Sequence, residues 1–122
     1  MFEITTEVSF SAAHRLKNYC GPCENLHGHN WLVKATVKCE TLDKCGIGID
    51  FRILKEHLNS IVDVFDHKDL NEILEPYDLN PSSENIARFI FMKLQSDLAD
   101  WHGSVCRIEV FETPGNCAVY YE

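Results

Sequence analysis

Two stretches in the first third of the chain alternate between hydrophobic and polar residues, which predicts two β-strands. Their apolar positions are Phe2, Ile4, Val8 and Phe10 in the first stretch, and Trp31, Val33, Ala35 and Val37 in the second. A period of two places every second side chain on the same face of a sheet. Each strand is therefore expected to bury one face and to expose the other.

The middle of the chain changes to helical spacing. Asp50 is a suitable N-cap, and apolar residues recur behind it at intervals of three and four from Phe51 to Phe65. Ser82 is a second N-cap, followed by a similar stripe that ends at Leu98. Two amphipathic helices are predicted, separated by a loop between Pro76 and Pro81.

The C-terminal segment predicts a β-hairpin. Residues 105–112 and 117–121 have the composition of strands, and Thr113-Pro114-Gly115-Asn116 between them fits a type II turn. The order strand, strand, helix, helix, strand, strand predicts an α+β fold. We expect one domain, residues 1–122, in which two helices cover one face of a four-stranded antiparallel sheet.

The other face of this sheet is also expected to bear apolar residues: Val105, Phe111, Val119 and Tyr121. A small sheet with two apolar faces and only two helices needs a further covering surface. A homo-oligomer is the simplest prediction.

The charge and composition of the chain disfavour several classes of function. The formal net charge is −8 and the 11 Lys and Arg residues are scattered, so nucleic-acid binding is not expected. No apolar run is long enough to cross a membrane, and the first residues lack the basic region of a signal peptide. We therefore expect a cytoplasmic protein whose six cysteines are reduced.

The stretch Cys20–Asn30, CGPCENLHGHN, concentrates metal-ligand chemistry. If a strand begins near Leu26, then His27 and His29 point to the same face. His14 follows the first strand and is the best third ligand. Three imidazoles around Zn²⁺ would leave one tetrahedral position open, as in catalytic zinc sites.

Three other interpretations of this stretch are open. Cys20, Cys23, His27 and His29 could form a closed Cys2His2 structural site. The tetrapeptide Cys20-Gly21-Pro22-Cys23 matches thioredoxin-type redox motifs, although the βαβ context of those motifs is missing here. His27 and His29 could also simply be exposed in a turn.

Two further groups suggest catalysis and ligand binding. Asp66 and His67 are adjacent where the first helix pattern ends, and together with the Cys23 thiol they could transfer protons. Glu112 shares the parity of Ile108 and Val110. Its carboxylate would then either be exposed at a strand end or buried to bind an N–H-rich ligand.

Taken together, these motifs resemble the 6-pyruvoyl-tetrahydropterin synthase family, including its bacterial 6-carboxytetrahydropterin synthase branch in queuosine (7-deazaguanine) biosynthesis. The matching segments are FSAAHRL at 10–16, CENLHGH at 23–29, IDF at 49–51, DHKDLN at 66–71, NPSSEN at 80–85 and ET at 112–113. Their order and spacing extend over nearly the whole chain.

The resemblance implies a tunnelling fold (T-fold) whose subunits form trimers or hexamers with active sites between subunits. It implies that His14, His27 and His29 bind Zn²⁺. Cys23 would be the catalytic thiol, completed by Asp66 and His67. The substrate would be the pterin 7,8-dihydroneopterin triphosphate, anchored by Glu112 and lined by Ser82 and Ser83.

Because of Glu24, the sequence is compatible with more than one reaction product. It begins the pattern E-x-x-H-G-H, which resembles a branch that uses Glu in place of Cys and forms 6-hydroxymethyl-dihydropterin for folate synthesis. A dual-function enzyme, a 6-pyruvoyl product and a solvated Glu24 remain alternatives to the 6-carboxy product. A zinc-binding domain without catalysis is the competing class.

Overall fold

The computed structural model of the protein describes residues 1–18, 21 and 24–122. The strands are β1 (Phe2–His14), β2 (His27–Cys39), β3 (Lys68–Asp69), β4 (Ser104–Thr113) and β5 (Asn116–Tyr121). The helices are α1 (Phe51–Val62), α2 (Leu70–Leu74) and α3 (Ser83–Asp97), and a 3-10 turn (Glu75–Tyr77) follows α2. Among the described residues, no helix is long and apolar enough to cross a membrane.

The α+β fold and the four antiparallel strands are confirmed. The sheet has the order β3-β1-β2-β4-β5. Its edge strand β3 was not predicted; it pairs in parallel with β1 through Ala12 and Ala13. Two residues are too few to show alternation, so the sequence around Asp66 and His67 indicated only the end of the first helix pattern. Asp69 then caps the short helix α2, because its side chain accepts a hydrogen bond from the Asn71 N–H at 2.9 Å.

The core lies between one face of the sheet and the helices α1 and α3. Trp31, Phe65 and Phe91 are its largest fully buried side chains. Both predicted N-caps are confirmed. The Asp50 carboxylate accepts from the Arg52 N–H, and the Ser82 hydroxyl accepts from the Asn85 N–H. Each cap satisfies a backbone donor that has no partner inside its helix.

A β-bulge corrects one prediction about the opposite face of the sheet. Val37 pairs with Val105 but Thr36 pairs with Arg107, so Cys106 is an extra residue in β4. The bulge turns Val105 toward the helices, where it is buried. Val119 and Tyr121 do lie on the helix-free face and are exposed.

The hairpin between β4 and β5 also differs from its prediction. Gly115 does not have the positive φ that a type II turn requires at this position, so that prediction is wrong. The register shifts by one residue between Phe111 and Thr113, which leaves Glu112 as a second extra residue of β4. Asn116 donates a hydrogen bond to the Thr113 hydroxyl at 2.9 Å and closes the turn.

Candidate functional site

The three predicted histidine ligands meet where β1 ends and β2 begins. The antiparallel register places His14 directly opposite His27, and His29 opposite Ala12. The ring centroid of His14 is 4.7 Å from that of His27 and 5.2 Å from that of His29, and the ring centroids of His27 and His29 are 4.7 Å apart. We call this set the imidazole cluster (His14, His27 and His29).

Backbone carbonyls orient two of these rings. His14 Nδ1 lies 2.7 Å from the Pro81 carbonyl oxygen, and His27 Nδ1 lies 2.7 Å from the Asn25 carbonyl oxygen. A carbonyl oxygen only accepts, so both Nδ1 atoms bear the proton and both Nε2 atoms present a lone pair. Histidines that bind a metal ion are commonly held in this way.

Two buried nitrogens of the cluster, Nε2 of His14 and Nε2 of His29, have no hydrogen-bond partner within the described residues. An unpartnered buried nitrogen costs about 1–3 kcal/mol. Burial lowers the pKa of His29, as do the His14 and His27 imidazoles, whereas the Glu112 carboxylate opposes this shift. A neutral imidazole with an unpaired Nε2 is suited to bind a metal ion.

Glu112 approaches the imidazole cluster from β4. Its Oε1 atom is 2.7 Å from His29 Nε2 and 3.7 Å from His14 Nε2. The shorter contact lacks hydrogen-bond geometry. One donor atom from each of these four residues lies within 4.8 Å of the others, so the group could hold a metal ion. The sequence parity of Glu112 left open whether its carboxylate is exposed or faces inward, and it did not connect Glu112 with the histidines.

Asp66 and His67 form the predicted pair. His67 Nδ1 is 3.0 Å from Asp66 Oδ1, and the Ser11 N–H donates to the same oxygen at 2.9 Å. The Ser11 hydrogen bond, together with His67, lowers the pKa of the Asp66 carboxyl. The His67 backbone also donates to the Ser11 carbonyl oxygen at 2.6 Å and has a φ of 58°. The pair is thereby fixed to β1.

The His67 side chain is 81% exposed. It borders a cavity of about 510 Å³ that is also lined by His29 of the imidazole cluster and by Ser11, Gly28 and Asn30. The last three positions alternate with the cluster histidines and core residues along β1 and β2, so they belong to the helix-free face. His67 and one cluster histidine thus line the same cavity within one chain.

The two serines have different surroundings. Ser82 Oγ accepts from the Asn85 N–H at 3.2 Å and therefore serves as the α3 cap. Ser83 Oγ donates to Glu112 Oε2 at 3.4 Å and so lies beside the group that could hold a metal ion. Glu24 is exposed, and its N–H donates to the Gly21 carbonyl oxygen. Cys20 and Cys23, and with them the closed and redox interpretations, lie outside the described residues.

Sequence reasoning did not assign two asparagines that hold the segment after His14. The Asn71 amide accepts from the Arg15 N–H at 2.8 Å and donates to the Arg15 carbonyl oxygen at 2.9 Å. Asn80 does the same with Lys17, at 3.0 and 3.1 Å. Each side-chain amide thus bonds both the N–H and the carbonyl oxygen of one residue, as a neighbouring β-strand would. Their positions in DHKDLN and NPSSEN were the only sequence indication.

Known proteins resemble the chain over nearly its full length. The sequence model of the 6-pyruvoyl tetrahydropterin synthase family matches residues 3–122. The 6-carboxy-5,6,7,8-tetrahydropterin synthase of Synechocystis is 36% identical, with 99% of this chain and 94% of that protein covered. The Bacillus subtilis protein of the same name is 31% identical, with coverages of 98% and 84%.

The fold agrees with these sequence matches. The structure of Caenorhabditis elegans 6-pyruvoyl tetrahydropterin synthase superposes with a TM-score of 0.84 at 31% identity, covering 100% of this chain and 97% of that one. The Plasmodium falciparum 6-pyruvoyl tetrahydropterin synthase, 24% identical with a TM-score of 0.74, shares the fold over 99% and 97% of the two chains. The T-fold prediction is confirmed, and the chain belongs to the 6-pyruvoyl tetrahydropterin synthase family.

Proposed function

We propose that the protein is a zinc-dependent 6-carboxy-5,6,7,8-tetrahydropterin synthase. It would convert 7,8-dihydroneopterin triphosphate and water to 6-carboxytetrahydropterin, acetaldehyde and triphosphate, a lyase-type step of queuosine biosynthesis in the cytoplasm. The name of the Synechocystis and Bacillus subtilis relatives supports this product. The observation that supports the chemistry is the group of His14, His27, His29 and Glu112, in which two buried Nε2 atoms have no hydrogen-bond partner among the residues that the structure describes.

The imidazole cluster fits a zinc ion because its donors are imidazole nitrogens and the carbonyls of Pro81 and Asn25 orient two of them. A bound Zn²⁺ supplies Lewis acidity, which lowers the pKa of a substrate hydroxyl and of the adjacent C–H bonds. The role of His14, His27 and His29 is to hold the ion in a site that excludes bulk water. His14 is 1% exposed.

Proton transfer would be the task of Cys23 and His67. The Asp66 carboxylate holds His67 at Nδ1, so the Nε2 atom of that exposed ring is directed outward and available to a substrate proton. Since the His67 ring is largely exposed at the edge of the sheet, we propose that it serves the metal site of a neighbouring copy. A trimer or hexamer would provide this arrangement, and the exposed Val119 and Tyr121 support a covered face.

Glu112 would anchor the pterin, because a carboxylate can accept two parallel hydrogen bonds from the N–H edge of that ring. Ser83 would contribute to this pocket, since its hydroxyl already contacts Glu112. Ser82 would line the pocket only from its position as helix cap. All of these parts would belong to one domain, residues 1–122.

The direct test is incubation of the zinc-loaded protein with 7,8-dihydroneopterin triphosphate, followed by mass analysis of the products. We expect 6-carboxytetrahydropterin and acetaldehyde. A 6-pyruvoyl product would place the protein with the 6-pyruvoyl enzymes instead. Absence of any product from zinc-loaded, folded protein would favour a zinc-binding domain without catalysis.

A second product is supported by the position of Glu24. Its carboxylate is exposed three residues before His27, in the pattern E-x-x-H-G-H. If Glu24 acts as a base, part of the substrate would be cleaved to 6-hydroxymethyl-dihydropterin. Comparison of the products of the wild type and Glu24→Ala tests this, since only that product should disappear. Glu40→Ala, which removes an exposed carboxylate beyond the end of β2, is the matched control.

A further inference from the structure

We propose that Glu112 is the fourth ligand of the metal ion in the substrate-free protein and leaves the ion when the pterin binds. This inference rests on the proposed zinc site and pterin anchor. It assigns to one carboxylate two roles that exclude each other in time. The arrangement would protect the open coordination position until substrate arrives.

The distances at the cluster fit this assignment. Four ligands at about 2.0–2.1 Å from a tetrahedral zinc ion lie roughly 3.3 Å from one another. Glu112 Oε1 is 2.7 Å from His29 Nε2 and 3.7 Å from His14 Nε2, which brackets that separation. The carboxylate oxygen and the imidazole nitrogens are therefore close enough together to share one ion.

The chemistry of the facing atoms also suits a cation between them. The Pro81 carbonyl fixes the proton of His14 on Nδ1, so His14 Nε2 directs a lone pair at the Oε1 lone pairs of Glu112. Two acceptors that face each other in a buried site repel. A metal ion between them turns the repulsion into coordination, and it also satisfies the unpartnered Nε2 atoms of His14 and His29.

The backbone directs Glu112 to this position. Glu112 is the extra residue of a β-bulge in β4, and such bulges commonly redirect a side chain next to an active site. Its other oxygen, Oε2, is contacted by the Ser83 hydroxyl at the start of α3. Within the described part of the chain, the ionic contacts of Glu112 are to His14 and His29.

The two roles of Glu112 require an exchange. A carboxylate that accepts two hydrogen bonds from a pterin uses both oxygens, so Oε1 must first separate from the ion. Glu112 would thus release the ion, and a coordination position would become available for an oxygen of the substrate. This ligand exchange transfers no proton and no electron.

The test measures metal binding in the absence of substrate. Zinc affinity is determined by chelator competition for the wild type, Glu112→Gln and Glu109→Gln; Glu109 lies on the same strand but contacts Arg107. We expect Glu112→Gln to bind zinc at least tenfold more weakly and Glu109→Gln to match the wild type. The visible spectrum of the Co²⁺-substituted protein should also change in Glu112→Gln alone. Zinc affinity within twofold of wild type, with an unchanged cobalt spectrum, would overturn the proposal.

The exchange itself is followed in the Cys23→Ala background, which prevents turnover. Addition of 7,8-dihydroneopterin triphosphate should shift the cobalt spectrum, because a substrate oxygen would replace the Glu112 carboxylate at the ion; a spectrum that bound substrate leaves unchanged would refute the exchange. Failure of the proposed function would appear differently, as absence of substrate binding while the zinc affinities still separate the variants. If Glu112→Gln does not fold, Glu112→Asp replaces it, and an unchanged zinc affinity in that variant counts against the proposal.

Discussion

The Nδ1 atom of His14 lies 2.7 Å from the carbonyl oxygen of Pro81, although 67 positions separate the two residues in the chain. Pro81 directly precedes Ser82, the N-cap of α3. The start of α3 therefore determines which nitrogen of His14 is protonated and which is free for a metal ion. The start of α3 and the orientation of the His14 ring are coupled through this one contact.

Ser82→Ala should lower the free energy of unfolding by about 1 kcal/mol, because the Asn85 N–H loses its cap. Ser82→Thr should retain most of the stability, since its hydroxyl can still accept. Urea denaturation of the metal-free protein gives both values. Equal stability of Ser82→Ala and wild type would show that the cap contributes nothing.

Asn80→Asp should destabilise the protein by about 0.5–1.5 kcal/mol, because an acceptor would then face the Lys17 carbonyl oxygen in place of the amide donor. Turnover should fall as well, since Lys17 lies shortly before Cys23 in the sequence. Denaturation and steady-state kinetics measure the two effects.

Asn116→Asp is the matched control for this substitution. It removes an exposed amide bond to Thr113 at the hairpin and should change stability by less than about 0.5 kcal/mol. An Asn80→Asp variant as stable and active as Asn116→Asp would contradict the positioning role of Asn80.

Asp66→Asn should change how the free energy of unfolding depends on pH in the acidic range. The folded-state pKa of Asp66 is lowered by the Ser11 hydrogen bond and by His67, so its ionised form stabilises the fold. That contribution is complete above the unfolded pKa, near pH 4, and is lost as pH falls through the folded pKa. The free energy of unfolding of the wild type should therefore exceed that of Asp66→Asn at pH 6, and this difference should shrink below about pH 4. Denaturation of metal-free protein from pH 2.5 to 7 measures this, and a pH-independent difference would contradict it.

Trp31→Phe should cost about 1–3 kcal/mol, because it shrinks a fully buried ring and removes the Nε1 hydrogen bond to the Ala12 carbonyl oxygen. Trp31 also lies 4.9 Å from His14 and 5.4 Å from His29, measured between ring centroids. Its fluorescence should accordingly be quenched when Co²⁺ binds.

The other tryptophan provides the control. Trp101 donates to the Gly48 carbonyl oxygen, away from the cluster. Co²⁺ should quench Trp101→Phe strongly and Trp31→Phe weakly. The reverse order would place the ion elsewhere.

Cys23→Ala should retain zinc and lose turnover by at least a hundredfold, because the thiolate would be a proton-transfer group and not a structural ligand. Metal analysis after dialysis and product formation measure the two properties. The double variant Cys20→Ser, Cys23→Ser should also retain zinc. Loss of zinc in that variant would support the closed Cys2His2 site instead.

Local patterns were sufficient to predict the main elements and half of the candidate site. Alternation predicted β1 and β2, and the spacing of His27 and His29 within β2 placed both side chains on one face. Asp50 and Ser82 were identified as caps because capping depends on residues within one helical turn. His14 was identified because antiparallel pairing of consecutive strands brings the end of one to the start of the next.

Only the tertiary structure decided the position of Glu112 relative to the imidazole cluster and the face on which His67 lies. Two bulges in β4, at Cys106 and Glu112, each insert one residue and change which side chains share a face. The two-residue strand β3 attaches His67 to the edge of β1. Such features depend on the register between segments distant in the chain, and alternation within a single segment contains no information about that register.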